Sequence, residues 1–129
     1  MTETPMTLRE LIARGDAYLQ RRNVPDARVV CEWLAACLFK CGRLDLYLHL
    51  DAVPDTRIVD ALRRGVQRVA AGEPVQYVLG RWDFRSLTLK VDRRALIPRP
   101  ETEQLVDLVL ASPQVRRTPK PLVVDVGTG

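Results

Sequence analysis

The triplet Gly72-Glu73-Pro74 limits the fold of this chain more than any other feature, because it separates two incompatible textures. Glycine weakens a helix and proline cannot continue one, so a regular element cannot run through all three residues. Upstream, apolar residues recur every three or four positions, the period of a helix face. Downstream they alternate with polar residues, the period of a strand. An all-helical first part followed by a part containing β structure is the expected plan.

Upstream of the break, Thr7-Leu8-Arg9-Glu10 has the form of a capping box, in which hydroxyl and carboxylate satisfy free N–H groups at a helix start. Leu8, Leu11, Ile12, Tyr18 and Leu19 follow at helical spacing, predicting a first helix from about Thr7 to Arg21 or Arg22. Pro25 suits the first turn of a second helix, with Asp26 adding favourable negative charge there. Val30, Trp33, Leu34, Cys37, Leu38 and Cys41 form its stripe, and Gly42 is placed to close it. Trp33, the largest of these, is expected at the centre of the core.

Residues 43–50 fit both periods. Leu44, Leu46, Leu48 and Leu50 alternate, yet Leu44, Tyr47 and Leu48 also share a helical face. Pro54-Asp55 opens a clearer helix whose apolar face is Ile58, Val59, Leu62, Val66 and Val69, ending at Gly72. Residues 1–72 therefore read as an all-α bundle whose stripes can be buried only against one another.

Downstream, the alternation from Val75 to Val91 about a turn region at Gly80 to Asp83 predicts a β-hairpin. Leu96-Ile97-Pro98-Arg99-Pro100 is stiff and extended. Glu101, Thr102 and Glu103 open a helix with Leu105, Val106, Val109 and Leu110 facing inward, followed by a polar loop over residues 114–121. Leu122-Val123-Val124-Asp125-Val126-Gly127-Thr128-Gly129 reads as a short buried strand entering a glycine loop.

A branched apolar run ending in glycines is how the first strand of a nucleotide-type α/β domain meets its ligand. Asp125 sharpens that reading. A carboxylate beside the glycines repels a pyrophosphate, as a nicotinamide dinucleotide would present, but suits a ligand with a positive end such as the ammonium of S-adenosylmethionine. The competing structural role is a local hydrogen bond that holds the loop.

The residues 122–129, together with Glu73-Pro74-Val75-Gln76-Tyr77-Val78-Leu79-Gly80, Phe84 and the string Leu96-Ile97-Pro98-Arg99-Pro100-Glu101-Thr102-Glu103, make this sequence strongly similar to the release factor glutamine methyltransferase family. The resemblance implies a helical bundle that binds release factor (1–72, with residues 43–50 as helix), a β-hairpin linker (73–95), and the first helix and strand of an α/β Rossmann-like methyltransferase domain (96–129). It implies transfer of a methyl group from S-adenosylmethionine to the glutamine side-chain nitrogen in the Gly-Gly-Gln loop of class 1 peptide chain release factors. By the same resemblance the cofactor residues are Asp125, Val126, Gly127, Thr128 and Gly129. Arg99, Glu101 and Thr102 are implied to lie near the active site, against a plain role in starting the helix.

The family's Asn-Pro-Pro-Tyr motif does not occur in these 129 residues, so no catalytic residue is assigned and the chain alone is expected to be inactive. The alternative is a stand-alone module that docks release factor or ribosome without catalysis. Arg57, Arg63, Arg64 and Arg68, then Arg81, Arg85, Lys90, Arg93, Arg94 and Arg99, are dense enough to contact RNA, although the aromatic interleaving of a single-strand binder is missing. A solvated face is the competing reading.

Cys31, Cys37 and Cys41 share one apolar helical segment, which is the pattern of reduced, packed thiols rather than of a disulfide framework. No metal site is expected around His49, the sole histidine. No stretch reaches the ~20 apolar residues of a membrane helix, and Met1 to Pro5 does not read as a signal peptide. A cytoplasmic location is therefore expected.

Overall fold

The computed structural model describes residues 4–128 and divides into two compact units, the first ending at Leu79 and the second beginning at Gly80. It is mostly helical, with one small antiparallel hairpin.

The first unit contains α1 (Leu8–Arg21), α2 (Ala27–Phe39), a 3-10 helix (Asp45–His49), α3 (Thr56–Ala70) and α4 (Val75–Leu79). Helix α1 begins at the expected capping box, with the Thr7 hydroxyl accepting from the Glu10 N–H at 3.3 Å and the Glu10 carboxylate accepting from the Thr7 N–H at 2.8 Å. Its next free donors are satisfied from far along the chain. Leu8 N–H donates to the Ala52 carbonyl and Arg9 N–H to the Leu50 carbonyl, each at 2.9 Å. Helix α3 is capped by Asp55, which accepts from the Ile58 N–H at 3.0 Å.

Helix α1 closes on a left-handed residue at Asn23, α2 at Lys40 and α3 at Gly72. In each, the following N–H reaches back five residues: Val24 to Leu19, Cys41 to Ala36 and Glu73 to Arg68, all at 3.1 Å. Lys40 thus takes the role expected of Gly42, because the hydrogen bond to Ala36 ends α2 earlier. Pro25 lies outside α2, and Asp26 adopts the left-handed conformation at its start without making a side-chain cap.

Helix α2 is central. Its Cys31 meets α1 at Gly15, where an added Cβ would lie 2.8 Å from the sulfur, and its Leu34 meets α3 at Gly65, where the distance would be 3.2 Å. Leu8, Ile12, Leu19, Leu46 and Cys31 are the largest fully buried side chains. Trp33 is only partly buried against this cluster, so it is not the centre of the core. The ambiguous 43–50 segment is helical, as a 3-10 turn with Leu46 buried.

Val75 to Leu79 is helix rather than strand. Val75, Val78 and Leu79 pack on the core at helical spacing and Tyr77 falls off that face, so the alternation of Val75, Tyr77 and Leu79 is not that of a strand.

The second unit contains β1 (Arg81–Phe84), β2 (Leu87–Lys90), α5 (Pro100–Ala111) and α6 (Pro113–Arg117). The hairpin forms, but its turn is Arg85-Ser86, between the paired Phe84 and Leu87, not Gly80 to Asp83. Arg85 takes a φ of 52°, which supplies the positive torsion that two-residue hairpin turns require. Three further expectations fail in this unit. Leu105 and Leu110 of α5 are exposed and its Val106 and Val109 only half-buried; the 114–121 loop includes α6; and residues 122–126 are exposed and form no strand. The first and last share a reason: a strand or apolar helix face is ordered by a neighbouring sheet, and from Gly80 onward only Val91 is buried among the described residues; α6 instead starts locally, with Pro113 in its first turn.

Candidate functional site

The residues expected near an active site sit at the start of α5. Arg99 is extended, at φ −104° and ψ 148°, with Pro100 in the first turn. The Arg99 carbonyl accepts from the Thr102 N–H at 3.0 Å. Proline suits this position because its missing donor would be unsatisfied there anyway. Glu101 and Glu103 place negative charge in the first turn, where the helix dipole favours it.

The two glutamates then diverge, lying on opposite faces of the helix. Glu103 Oε1 accepts from the backbone N–H of Arg85 at 3.3 Å, and Asp107, one turn on, pairs with the Arg85 guanidinium at 2.6 Å. The hairpin turn is thus clamped to one face of α5. Glu101 shares the other face with Leu105 and Leu108, both exposed, and makes no ion pair among the described residues. This clamp was missed at the sequence level. Its only signal was the Glu103–Asp107 spacing of four residues, which puts two carboxylates on one face.

Upstream of α5, Asp92 folds the chain back. Its carboxylate accepts from the Arg94 backbone N–H at 3.0 Å and from the guanidinium at 2.9 and 2.7 Å, and these bonds hold the Asp92 carboxyl well below the usual carboxylate range.

Asp125, Val126, Gly127 and Thr128 are exposed and lie outside any helix or strand. Gly127 has a φ of 77°, and no atom lies within 4 Å of where its Cβ would be. A side chain is disfavoured there by torsion rather than by crowding, which leaves the backbone open to close approach. Gly129 lies outside the described residues. Among the described residues, no hydrogen bond or ion pair joins 99–102 to 125–128.

In the first unit the arginines of α3 behave unequally. Arg68 is chelated by Glu73 through bonds of 2.7 and 2.6 Å, which also raise its pKa. It is therefore part of the α3 terminus rather than free charge. Arg63 approaches Asp60 at 4.0 Å, while Arg57 and Arg64 make no ion pair among the described residues.

A second polar cluster, not anticipated from the sequence, surrounds Glu32. This glutamate is 3% exposed and accepts from Arg28 Nε at 3.1 Å, Arg43 Nη1 at 2.8 Å and the Tyr47 hydroxyl at 3.3 Å. A buried carboxylate needs such partners. Their effect is to tie the 43–47 segment to α2.

Among the described residues no group of three or more His, Cys, Asp or Glu side chains is arranged to hold a metal ion, and no helix is long and apolar enough to cross a membrane.

Comparison with known sequences places these features in context. The model of the PrmC N-terminal domain family matches residues 10–80. A release factor glutamine methyltransferase of Rhodopirellula baltica is 34% identical over 129 aligned residues, covering 98% of this chain and 44% of that protein. One from Geobacter sulfurreducens is 36% identical and covers 100% of this chain and 45% of its own length. The human MTRF1L release factor glutamine methyltransferase is 34% identical over 93% of this chain and 38% of its own. The chain thus spans less than half the length of these relatives.

Proposed function

The chain belongs to the PrmC N-terminal domain family, and on that premise we propose that it forms the front part of an S-adenosylmethionine-dependent enzyme that methylates the glutamine side-chain nitrogen of peptide chain release factors. The observation that carries this reading is the reach of the similarity. Relatives named as release factor glutamine methyltransferases align over 98 and 100% of the chain, so they cover the Arg99–Thr102 string and the glycine loop as well as the bundle.

In this reading residues 96–129 open a Rossmann-like methyltransferase domain. When bound, S-adenosylmethionine supplies an electrophilic methyl group on a positively charged sulfur. The Asp125 carboxylate offers a counter-charge to its ammonium, and the open backbone at Gly127 lets the chain approach it closely, with Val126, Thr128 and Gly129 completing the loop. Glu101, unpaired on the exposed face of α5, and Arg99 and Thr102 beside it would line the same site. The bundle would hold the release factor, a role supported by its self-contained core, and the enzyme would act in the cytoplasm on class 1 release factors.

A loop of this kind binds only when adjoining strands fix its backbone, and residues 122–128 are exposed and outside any strand. The 129-residue chain is therefore expected neither to bind S-adenosylmethionine nor to methylate a release factor. A longer chain carrying the rest of the relatives' length should do both. Calorimetry with S-adenosylmethionine on both forms is the test, and a one-to-one micromolar isotherm from the short form would refute it. Retained release-factor binding by the short form, with no activity in the long one, would favour the stand-alone docking module.

A further inference from the structure

We propose that the cleft between α1 and α3 is a docking groove for a short amphipathic helix of a protein partner, one whose apolar face is flanked by acidic side chains. The inference is independent of the methyl-transfer reading, since it concerns only the surface of the first unit.

The cleft has a volume of about 390 Å³. Leu62 and Val66 at its floor are buried, while Leu11, Tyr18 and Val59 are only half-buried. Leu11 and Tyr18 belong to the apolar stripe of α1. Leu8, Ile12 and Leu19 of that stripe are used up in the core, but these two are turned into the cleft and left partly open. Leu11 and Tyr18 lie two helical turns apart on one face of α1, so the partly open apolar surface runs along the cleft, and an elongated apolar groove is what receives the apolar face of an amphipathic helix.

The rim supplies the second half of the argument. Arg14 and Arg21 stand on the α1 side, also seven residues apart, and Arg63 stands on the α3 side. No acidic side chain lines the cleft. Arg63 meets only the half-buried Asp60, at 4.0 Å. Arg14 acts on Glu10 one turn away without an ion pair among the described residues, and Arg21 makes none either. An apolar trough with cationic edges selects a ligand that is apolar along its centre and anionic along its sides, and it repels a basic one.

Nucleic acid fits less well. Its stacking sites are open aromatic faces, and the one aromatic ring in the cleft, Tyr18, already carries the Arg22 guanidinium 5.0 Å from its centroid.

The test uses the isotopically labelled 129-residue chain and a synthetic amphipathic helix of Leu, Ala and Glu, alongside analogues carrying Gln or Lys in place of Glu and a single-stranded RNA oligonucleotide. The acidic peptide should bind with amide shifts confined to α1 and α3. Affinity should drop at least about tenfold for the Gln analogue, or in an Arg14→Gln/Arg63→Gln double variant, and vanish for the Lys analogue. Both arginines are exposed, so the variant keeps its core. Equal affinity for the Glu and Gln peptides, shifts elsewhere on the bundle, no binding by any peptide, or RNA bound at these residues in preference to the acidic peptide would each overturn the proposal.

Discussion

At Gly15 a single hydrogen atom keeps α1 and α2 at their observed separation. A Cβ there would lie 2.8 Å from Cys31 Sγ, and Cys31 is itself 1% exposed with no room to turn away. Alanine favours a helix interior by about 1 kcal/mol over glycine, yet the overlap should outweigh that gain. Gly15→Ala is expected to destabilise the protein by about 1–2 kcal/mol net. In a Cys31→Ala background the same change should become neutral or stabilising, because the obstructing sulfur is gone. Urea melts of the four variants measure this, and additive effects would disprove the contact. The same burial pushes the Cys31 thiol up to about 12, with Asp16 and Glu32 adding to the shift and Arg28 opposing it. An unfolded thiol ionises near pH 8.5–9. Between that pH and about 12 the unfolded chain has lost a proton that the folded chain retains, so the thiol's contribution is complete below the unfolded value and declines as pH rises. Stability should fall across that window by up to about 1.4 kcal/mol per pH unit more in the wild type than in Cys31→Ala. Equal slopes in the two proteins would contradict it.

Among the elements, those with a stripe and a chemical end signal were legible. Thr7 and Glu10 mark the start of α1, Asp55 that of α3 and Gly72 its end, and each acts in the structure as its chemistry demands. The sequence was silent where a residue works against its own preference. Lys40 and Asp26 both adopt left-handed torsions, a conformation costing a non-glycine residue about 1 kcal/mol or more, and no local pattern announces it. Short elements were misread for a different reason. Five residues such as Val75 to Leu79 contain too few repeats to separate a period of 2 from one of 3.6, and only the core they pack on decides. In the candidate site, the capping geometry of Arg99 to Thr102 follows from local chemistry. The clamp of Arg85 on Glu103 and Asp107 joins segments eighteen or more residues apart, beyond any local pattern.

Across the molecule, the first unit owes its boundary to α4. Val75 is 8% exposed, Val78 and Leu79 pack beside it, and Glu73 both satisfies the Arg68 carbonyl and chelates the Arg68 side chain. A fragment ending at Leu79 should therefore fold cooperatively. One ending at Gly72 should lose about 3 kcal/mol, the worth of burying these side chains, most of what so small a core supplies. Thermal melts of the two fragments, followed by circular dichroism, check this; equal midpoints would show α4 to be a passive tail. The hydrogen bonds from Leu8 to Ala52 and from Arg9 to Leu50 have a consequence of another kind. On a translating ribosome α1 emerges before the rest of the bundle, yet two donors of its opening turn lack their backbone partners until the segment around residue 52 has cleared the exit tunnel. The earliest part of the bundle to be synthesised is thus among the last to be finished, and the nascent chain must travel past two helices before its beginning can settle.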